Sequence, residues 1–93
     1  MSALVTEASV PKLPRGVRLK HDAARGGWVL LAPERVIACN ETAVEVLKRI
    51  DGKTSVDAVV DDLVSRFGAD RAIVSRDVCN VISQLLQKQL VQI

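Results

Sequence analysis

The spacing of apolar residues changes once along the chain, at Asn40, and this change restricts the fold more than any other feature. Before Asn40, residues 17–22 alternate Val, Leu and His with charged side chains, and residues 28–32 and 35–39 form two short apolar runs. After Asn40, apolar residues recur every three or four positions. A period of two predicts strands and a period of 3.6 predicts helices, so we expect three strands followed by three helices.

Turn and cap residues mark the boundaries of these elements. The pairs at 26–27 (Gly-Gly) and 33–34 (Pro-Glu) separate the three strands, as in an antiparallel meander. Asn40 is the predicted N-cap of the first helix, and Ser75 is the predicted N-cap of a third helix that runs from about residue 76 to 89. The predicted fold class is α+β: a winged-helix-like domain with a three-stranded antiparallel sheet followed by a three-helix bundle.

The chain length of 93 residues is that of one domain. We expect residues 1–12 to form a flexible N-terminal tail, because they show no stable period and Pro11 keeps the chain extended. Residues 13–93 then form the single winged-helix-like domain.

The composition argues against catalysis, metal binding and membrane insertion. His21 is the only histidine and has no nucleophile or acid at a recognisable spacing, so no catalytic residues are predicted and the chain is not expected to be an enzyme. Cys39 and Cys79 read as buried thiols, and we expect neither a metal site nor a cofactor. No apolar run is long enough to span a membrane and no signal peptide is recognised, so the expected location is the cytoplasm.

Apolar surface is in excess on the third helix and on the second and third strands. Two neighbouring stripes on the helix form an arc wider than one core needs, and both strands are apolar on both faces. The third strand is the expected edge of the sheet, and residues 35–39 contain no proline that would block an incoming strand. A proline at Ile37 is expected to remove a hydrogen-bond donor from that edge.

Three alternatives remain open on these residues. The wide arc is also typical of a central helix that its neighbours surround. The same surface would serve a structural subunit that dimerises, including by strand exchange at the 26–27 turn. A nucleic-acid-binding winged helix is the third alternative, although the net charge of +2 and the scarcity of cations on the third helix argue against it.

Several short motifs, in this order and spacing, resemble the PqqD family of peptide chaperones in the biosynthesis of pyrroloquinoline quinone (PQQ), a bacterial cofactor. The resemblance covers nearly the whole chain and rests on these segments: residues 11–19 (PKLPRGVRL), Asp22 with Arg25, residues 30–34 (LLAPE), 40–43 (NETA), 50–52 (IDG), Phe67, and Val74 with Asp77 and Val78.

The resemblance implies a winged-helix-like peptide-recognition element that binds the ribosomal precursor peptide of PQQ and presents it to a radical-SAM enzyme. It implies that the peptide adds as a strand beside the third strand and rests on the third helix. The peptide-binding residues carried over in this way are Val36, Ile37, Ala38, Cys39, Asp77, Val78, Val81, Ile82 and Leu85. The expected partners are this peptide and the radical-SAM enzyme, with no nucleic acid and no membrane. The expected assembly is a monomer or a weak, strand-exchanged homodimer.

Overall fold

The computed structural model describes residues 5–24 and 26–93 and has three strands followed by three helices, as predicted. The elements, in chain order, are β1 (Arg18–Asp22), β2 (Gly27–Ala32), β3 (Arg35–Cys39), α1 (Glu41–Leu47), α2 (Val56–Phe67) and α3 (Arg71–Gln87).

The three strands form one antiparallel sheet in the order β1-β2-β3. Leu30 in the central strand pairs with Leu19 on one side and Ile37 on the other, and its side chain is fully buried. Because side chains alternate along a strand, the row through these three residues faces the helices. The β2–β3 turn at Pro33-Glu34 takes only two residues, and Glu34 has a left-handed φ of 63°.

The N-cap of α1 is Asn40, as predicted, and its side chain accepts a hydrogen bond of 2.8 Å from the N–H of Ala43. The helix ends at Leu47, with Lys48 as its C-cap, and a turn leads from there to α2. The intervening turn is organised by Asp51, whose carboxylate accepts from the N–H groups of Lys53 and Thr54. This turn lets α2 begin a new direction at Ser55, its N-cap.

The N-cap of α3 is Asp70, so the prediction of Ser75 was wrong. The Asp70 carboxylate accepts from the N–H groups of Ala72 and Ile73, and α3 gains a turn before the apolar period becomes visible. Ser75 lies inside the helix and donates its hydroxyl to Glu7 at 2.5 Å. Asp70 lies five residues before Ser75, and the first turn of α3 between them is mainly exposed, so the apolar pattern starts later than the helix.

One hydrophobic core joins the sheet to the helices and to the C-terminal residues. Its side chains come mainly from β2, from all three helices and from the segment after α3. The buried members are Leu30, Val46, Leu47, Ile50, Val56, Val59, Val60, Leu63, Val78, Ile82, Leu85, Leu90 and Val91.

Residues 5–12, which we call the N-terminal segment, hydrogen-bond to two other parts of the domain. Backbone carbonyls of Glu7 and Ser9 accept from the first N–H groups of α2, at 2.9 and 2.8 Å. These helical N–H groups have no partner within the helix, so the segment satisfies them. Lys12 forms a bridge with Gln92, and Pro11 is fully buried.

The carboxylate of Glu7 connects the N-terminal segment to α3. It lies 3.3 Å from the Arg71 guanidinium, which also pairs with Asp57 and Asp61 of α2. Hydrogen bonding from the Ser75 hydroxyl, assisted by the Arg71 charge, holds the pKa of Glu7 below its ordinary value. The ionised carboxylate is therefore the form that the fold favours.

The predicted flexibility of residues 1–12 stays a prediction, and residues 1–4 lie outside the described part of the chain. Among the described residues, no helix combines the length and the apolar character that crossing a membrane requires.

The C-terminal end of α3 is a Schellman motif with glutamine at the position that usually holds glycine. Gln89 has a left-handed φ of 61°. The N–H of Leu90 donates to the carbonyl of Leu85 at 2.8 Å, and the N–H of Gln89 donates to the carbonyl of Leu86 at 3.0 Å. A side chain in this conformation is strained, since its Cβ crowds the backbone.

We expect Gln89→Gly to stabilise the domain by about 0.5–1 kcal/mol, because glycine relieves this strain. Urea denaturation of the purified variant measures the change. Lys88→Gly is the matched control: Lys88 has a φ of −87°, so glycine there should only add chain entropy and destabilise. Equal shifts in both variants would contradict the assigned strain.

We expect Glu7→Gln to destabilise the domain at neutral pH and to have less effect as the pH falls. The lowered pKa of Glu7 means that its stabilisation is present above the carboxyl's unfolded-state pKa of about 4.3 and is lost as the pH falls through the lower, folded-state pKa. Urea denaturation from pH 7 to pH 3 measures the gap from the wild type. Glu34→Gln is the control, since Glu34 makes no ion pair within the described ranges. A gap that stays constant with pH would contradict this role of Glu7.

Candidate functional site

The strand β3 lies at one edge of the sheet, where sequence analysis placed it. Its side chains alternate: Val36 and Ala38 are exposed, whereas Ile37 and Cys39 are half-buried against the core. Val36 is 55% exposed and is one of the large apolar side chains at the surface of the domain. The edge strand therefore combines an apolar inner face with an apolar outer face.

The register of β2 and β3 determines which backbone groups point away from the sheet. Ala32 and Arg35 face each other across the two-residue turn, so they exchange hydrogen bonds as the closing pair of the hairpin. Bonded and non-bonded pairs alternate in an antiparallel ladder, so Ile37 and Cys39 also bond to β2. The N–H and C=O groups of Val36 and Ala38 point outward.

This alternation of bonded and outward-pointing residues corrects the expectation that a proline at Ile37 would remove a donor from the free edge. The N–H of Ile37 is directed at Leu30 in β2, so a proline there would break the sheet itself. The donors available to an added strand belong to Val36 and Ala38.

The outward groups of Val36 and Ala38 have no hydrogen-bond partner within residues 5–24 and 26–93. A bare edge is normally covered, charged or bulged in a folded protein. In the described part of the chain, this edge has an exposed valine, no proline and no covering strand, which is the arrangement that strand addition needs.

Two observations relate β3 to α3: they place the C-terminal end of α3 near the start of β3 and Asp77 of α3 near the residues that follow β3. At the start of β3, the Arg35 guanidinium donates to the carbonyl of Lys88, at the C-terminal end of α3, over 3.1 Å. Past the end of β3, Glu41 lines a pocket together with Asp77, near the beginning of α3. Helix α1 contacts α3 and follows β3 almost directly in the chain. We call the surface between the edge of β3 and α3 the groove.

The structure divides the predicted residues of α3 into two groups. Asp77 is exposed and Val81 is half-buried, so a ligand in the groove can contact both. Val78, Ile82 and Leu85 are 1%, 0% and 9% exposed and belong to the core. The wide apolar arc thus arises in large part because α3 is a central helix, which was one of the alternatives, and these three residues shape the groove from behind.

A pocket of about 260 Å³ lies where the groove meets α1 and α2; we call it the end pocket. Apolar side chains from α2 and α3 form its floor, and carboxylates from α1 and α3 stand at its rim. Its lining residues are Glu41, Thr42, Glu45, Leu63, Phe67, Val74, Asp77 and Val78. Apart from Asp77 and Val78, these were not predicted as site residues. The signal that could have found them is the single phenylalanine of the chain, which ends α2 and is 61% exposed.

The three carboxylates of the end pocket differ in their partners. Glu45 pairs with Arg49 at 2.9 Å and with Lys48 at 3.8 Å. Asp77 lies 3.9 Å from Arg76, at the limit of an ion pair. The Glu41 carboxylate pairs with no side chain of the described residues. Within residues 5–24 and 26–93, the rim therefore carries negative charge that is only partly neutralised.

The chemistry of the site is that of binding. Burial raises the pKa of the Cys39 and Cys79 thiols, so both remain neutral rather than nucleophilic. His21 stacks edge-on against Trp28 at 5.1 Å, on the side of the sheet where α1 places Lys48 over the indole. No group of potential metal ligands occurs within the described part of the chain.

A protein-family model described as coenzyme PQQ synthesis protein D (PqqD) matches residues 27–91, which include β2, β3 and all three helices. Two curated relatives are similar over most of their length. One, from Rhodopseudomonas palustris strain TIE-1, is 50% identical over 90% of this chain and 82% of its own. Another, from Xanthomonas oryzae pv. oryzae, is 43% identical over 96% of this chain and 97% of its own. Both are named PqqA binding protein.

Two solved structures are also similar. The solution structure of the PqqD part of Methylobacterium extorquens PqqCD has a TM-score of 0.86 and 38% identity, over 99% of this chain and 98% of that one. It is described as a functional, stand-alone recognition element for ribosomally synthesised and post-translationally modified peptides. The crystal structure of PqqD from Xanthomonas campestris has a TM-score of 0.62 and 40% identity, over 96% and 99% of the two chains.

We expect the amides of Val36 and Ala38 to exchange with solvent on the order of tenfold faster than those of Ile37 and Cys39 in the protein without ligand. The first pair points to solvent, whereas the second is bonded to β2. Hydrogen exchange followed by NMR measures all four in one sample, so Ile37 and Cys39 serve as internal controls. Equal protection of all four amides would mean that something else covers the edge.

Proposed function

The chain belongs to the PqqD family of non-catalytic binding proteins, and we propose that it binds the PqqA precursor peptide of PQQ biosynthesis as an added strand on β3. The observation that carries this proposal is the outward pair of backbone groups at Val36 and Ala38, with α3 alongside. PqqA binding is the property for which the relatives are named.

The energetics require contacts beyond the backbone. Val36 and Ala38 each offer one N–H and one C=O, and about four hydrogen bonds at roughly 0.5–1.5 kcal/mol each supply only a few kcal/mol. Micromolar affinity corresponds to about −8 kcal/mol. Apolar side chains of the peptide must therefore enter the groove and bury surface against α3.

We assign the predicted peptide-binding residues three roles. Val36 and Ala38 supply the backbone ladder, and Asp77 and Val81 contact the peptide from α3. The remaining residues form the apolar wall behind these contacts: Ile37, Cys39, Val78, Ile82 and Leu85.

We further propose that the bound peptide is presented to a radical-SAM enzyme of the pathway. Strand addition engages one extended segment and leaves the rest of the peptide accessible, which is what a partner enzyme needs. A cytoplasmic location is part of this proposal, because Cys39 and Cys79 are both free thiols, as is usual in a reducing compartment.

The charges of α3 do not favour the nucleic-acid alternative. Arg71 is occupied by Glu7, Asp57 and Asp61. Arg76 stands beside Asp77, whose negative charge would face a phosphate backbone.

We expect Ala38→Pro to weaken PqqA binding at least about tenfold while leaving the domain folded. Proline removes the outward N–H of residue 38 but no bond to β2, so the loss falls on the ladder with the peptide. Isothermal titration with the precursor peptide measures the affinity, and circular dichroism checks the fold. The titration is run where sedimentation shows a monomer, because two open edges can also pair with each other.

Ala38→Val is the matched control, since it keeps the N–H and adds a side chain that strands favour. It should bind as the wild type does. Unchanged affinity in a folded Ala38→Pro protein would contradict strand addition at β3, and absence of binding by the wild-type protein would contradict the function itself.

A further inference from the structure

We propose that the end pocket is a specificity site for a lysine or arginine side chain of the bound peptide. This inference rests on the proposed function and deepens it, since it names the chemistry that the pocket selects. It concerns a position beyond the strand-adding edge of β3, in the part of the peptide that continues past Cys39.

The location follows from the chain path at the end of β3. The strand ends at Cys39, Asn40 caps the next helix, and Glu41 is the first residue of α1. A peptide that extends along β3 therefore passes from the strand directly over Glu41. On its other side it meets Asp77 of α3, so its next side chains lie above the end pocket.

The size of the pocket fits one long side chain. Its volume of about 260 Å³ is below the ~300–1,000 Å³ of sites that hold small molecules or cofactors. Its floor is formed by Leu63, Val74 and Phe67, which is more than half exposed. An alkyl chain of three or four carbons would cover this apolar surface.

The charge of the rim selects the end of that side chain. The residues that line the pocket include three carboxylates and no base. Glu45 is already paired with Arg49, but Glu41 is unpaired among the described residues and Asp77 has only a distant arginine. A cation at the mouth would be attracted by both, whereas an acidic side chain would be repelled.

A cation also fits better than a purely apolar side chain. An apolar residue would cover the floor, but it would remove water from Glu41 and Asp77 without offering them a partner, which costs free energy. Lysine and arginine cover apolar surface with the stem and keep the charged head at the edge. The ring of Phe67 adds a favourable face for the cation.

The protein side of the test uses the double variant Glu41→Gln/Asp77→Asn. These substitutions keep size and hydrogen bonding but remove the charge at exposed positions. We expect the precursor peptide to bind the double variant about tenfold more weakly than the wild type at 50 mM salt, with a smaller difference at 500 mM. Glu34→Gln removes one charge at the opposite end of β3 and should leave the affinity unchanged.

The peptide side of the test replaces each lysine or arginine of the precursor, one at a time, by methionine, which has a similar length and no charge. We expect one replacement to weaken binding to the wild type by the same factor as the double variant does. The same replacement should have no further effect on the double variant, because both changes remove one interaction.

Each outcome decides between the proposals. Equal affinity of the wild type and the double variant, tighter binding by the double variant, or lack of coupling to any peptide cation would each overturn the specificity site while leaving PqqA binding intact. Weaker self-association of Phe67→Ala in sedimentation, with unchanged peptide affinity, would assign the pocket to a second copy of the chain and overturn it too. No binding of the precursor to the wild type would instead contradict the proposed function.

Discussion

The proposed binding site depends on two backbone positions that have no hydrogen-bond partner within the described residues. Val36 and Ala38 point their N–H and C=O groups away from the sheet, although unpaired edges are normally protected. The hairpin register determines which residues of β3 point outward, and the short turn at Pro33-Glu34 fixes the register. A binding partner that pairs with this edge is the simplest reason for an apolar edge strand with unpaired backbone groups.

Peptide binding also needs a rigid surface beside that edge, and α3 supplies it. Buried side chains of α3, among them Val78 and Ile82, anchor the helix in the core. Arg35 ties its C-terminal end to β3, and Glu7 ties its first turns to the N-terminal segment. The residues that hold the groove in place are therefore different from those that are exposed in it, so stability and recognition can be altered separately.

The pattern of apolar residues predicted the order and type of the six elements. It could not tell an exposed apolar arc from a buried one. Ile82 and Val81 have the same chemistry, yet only packing against α2 and the C-terminal residues decides that Ile82 is fully buried. The start of α3 was misplaced for a local reason, since the first turn from Arg71 is mainly exposed and shows no period.

Two features of the site are visible only in the three-dimensional structure. The direction of the Ile37 and Ala38 amides depends on strand register, which composition does not reveal. The end pocket joins Glu41 to Phe67 and Asp77, residues far apart in sequence. Resemblance to the PqqD family supplied the identity of the peptide, which neither the spacing nor the geometry contains.

The central claim is that the peptide becomes the fourth strand, and scalar couplings across hydrogen bonds test it most directly. With the protein labelled with ¹⁵N and the precursor peptide with ¹³C, we expect couplings from the amides of Val36 and Ala38 to peptide carbonyls, and none from Ile37. A saturated complex in which those two amides show no coupling, while peptide signals connect instead to β1, would contradict it.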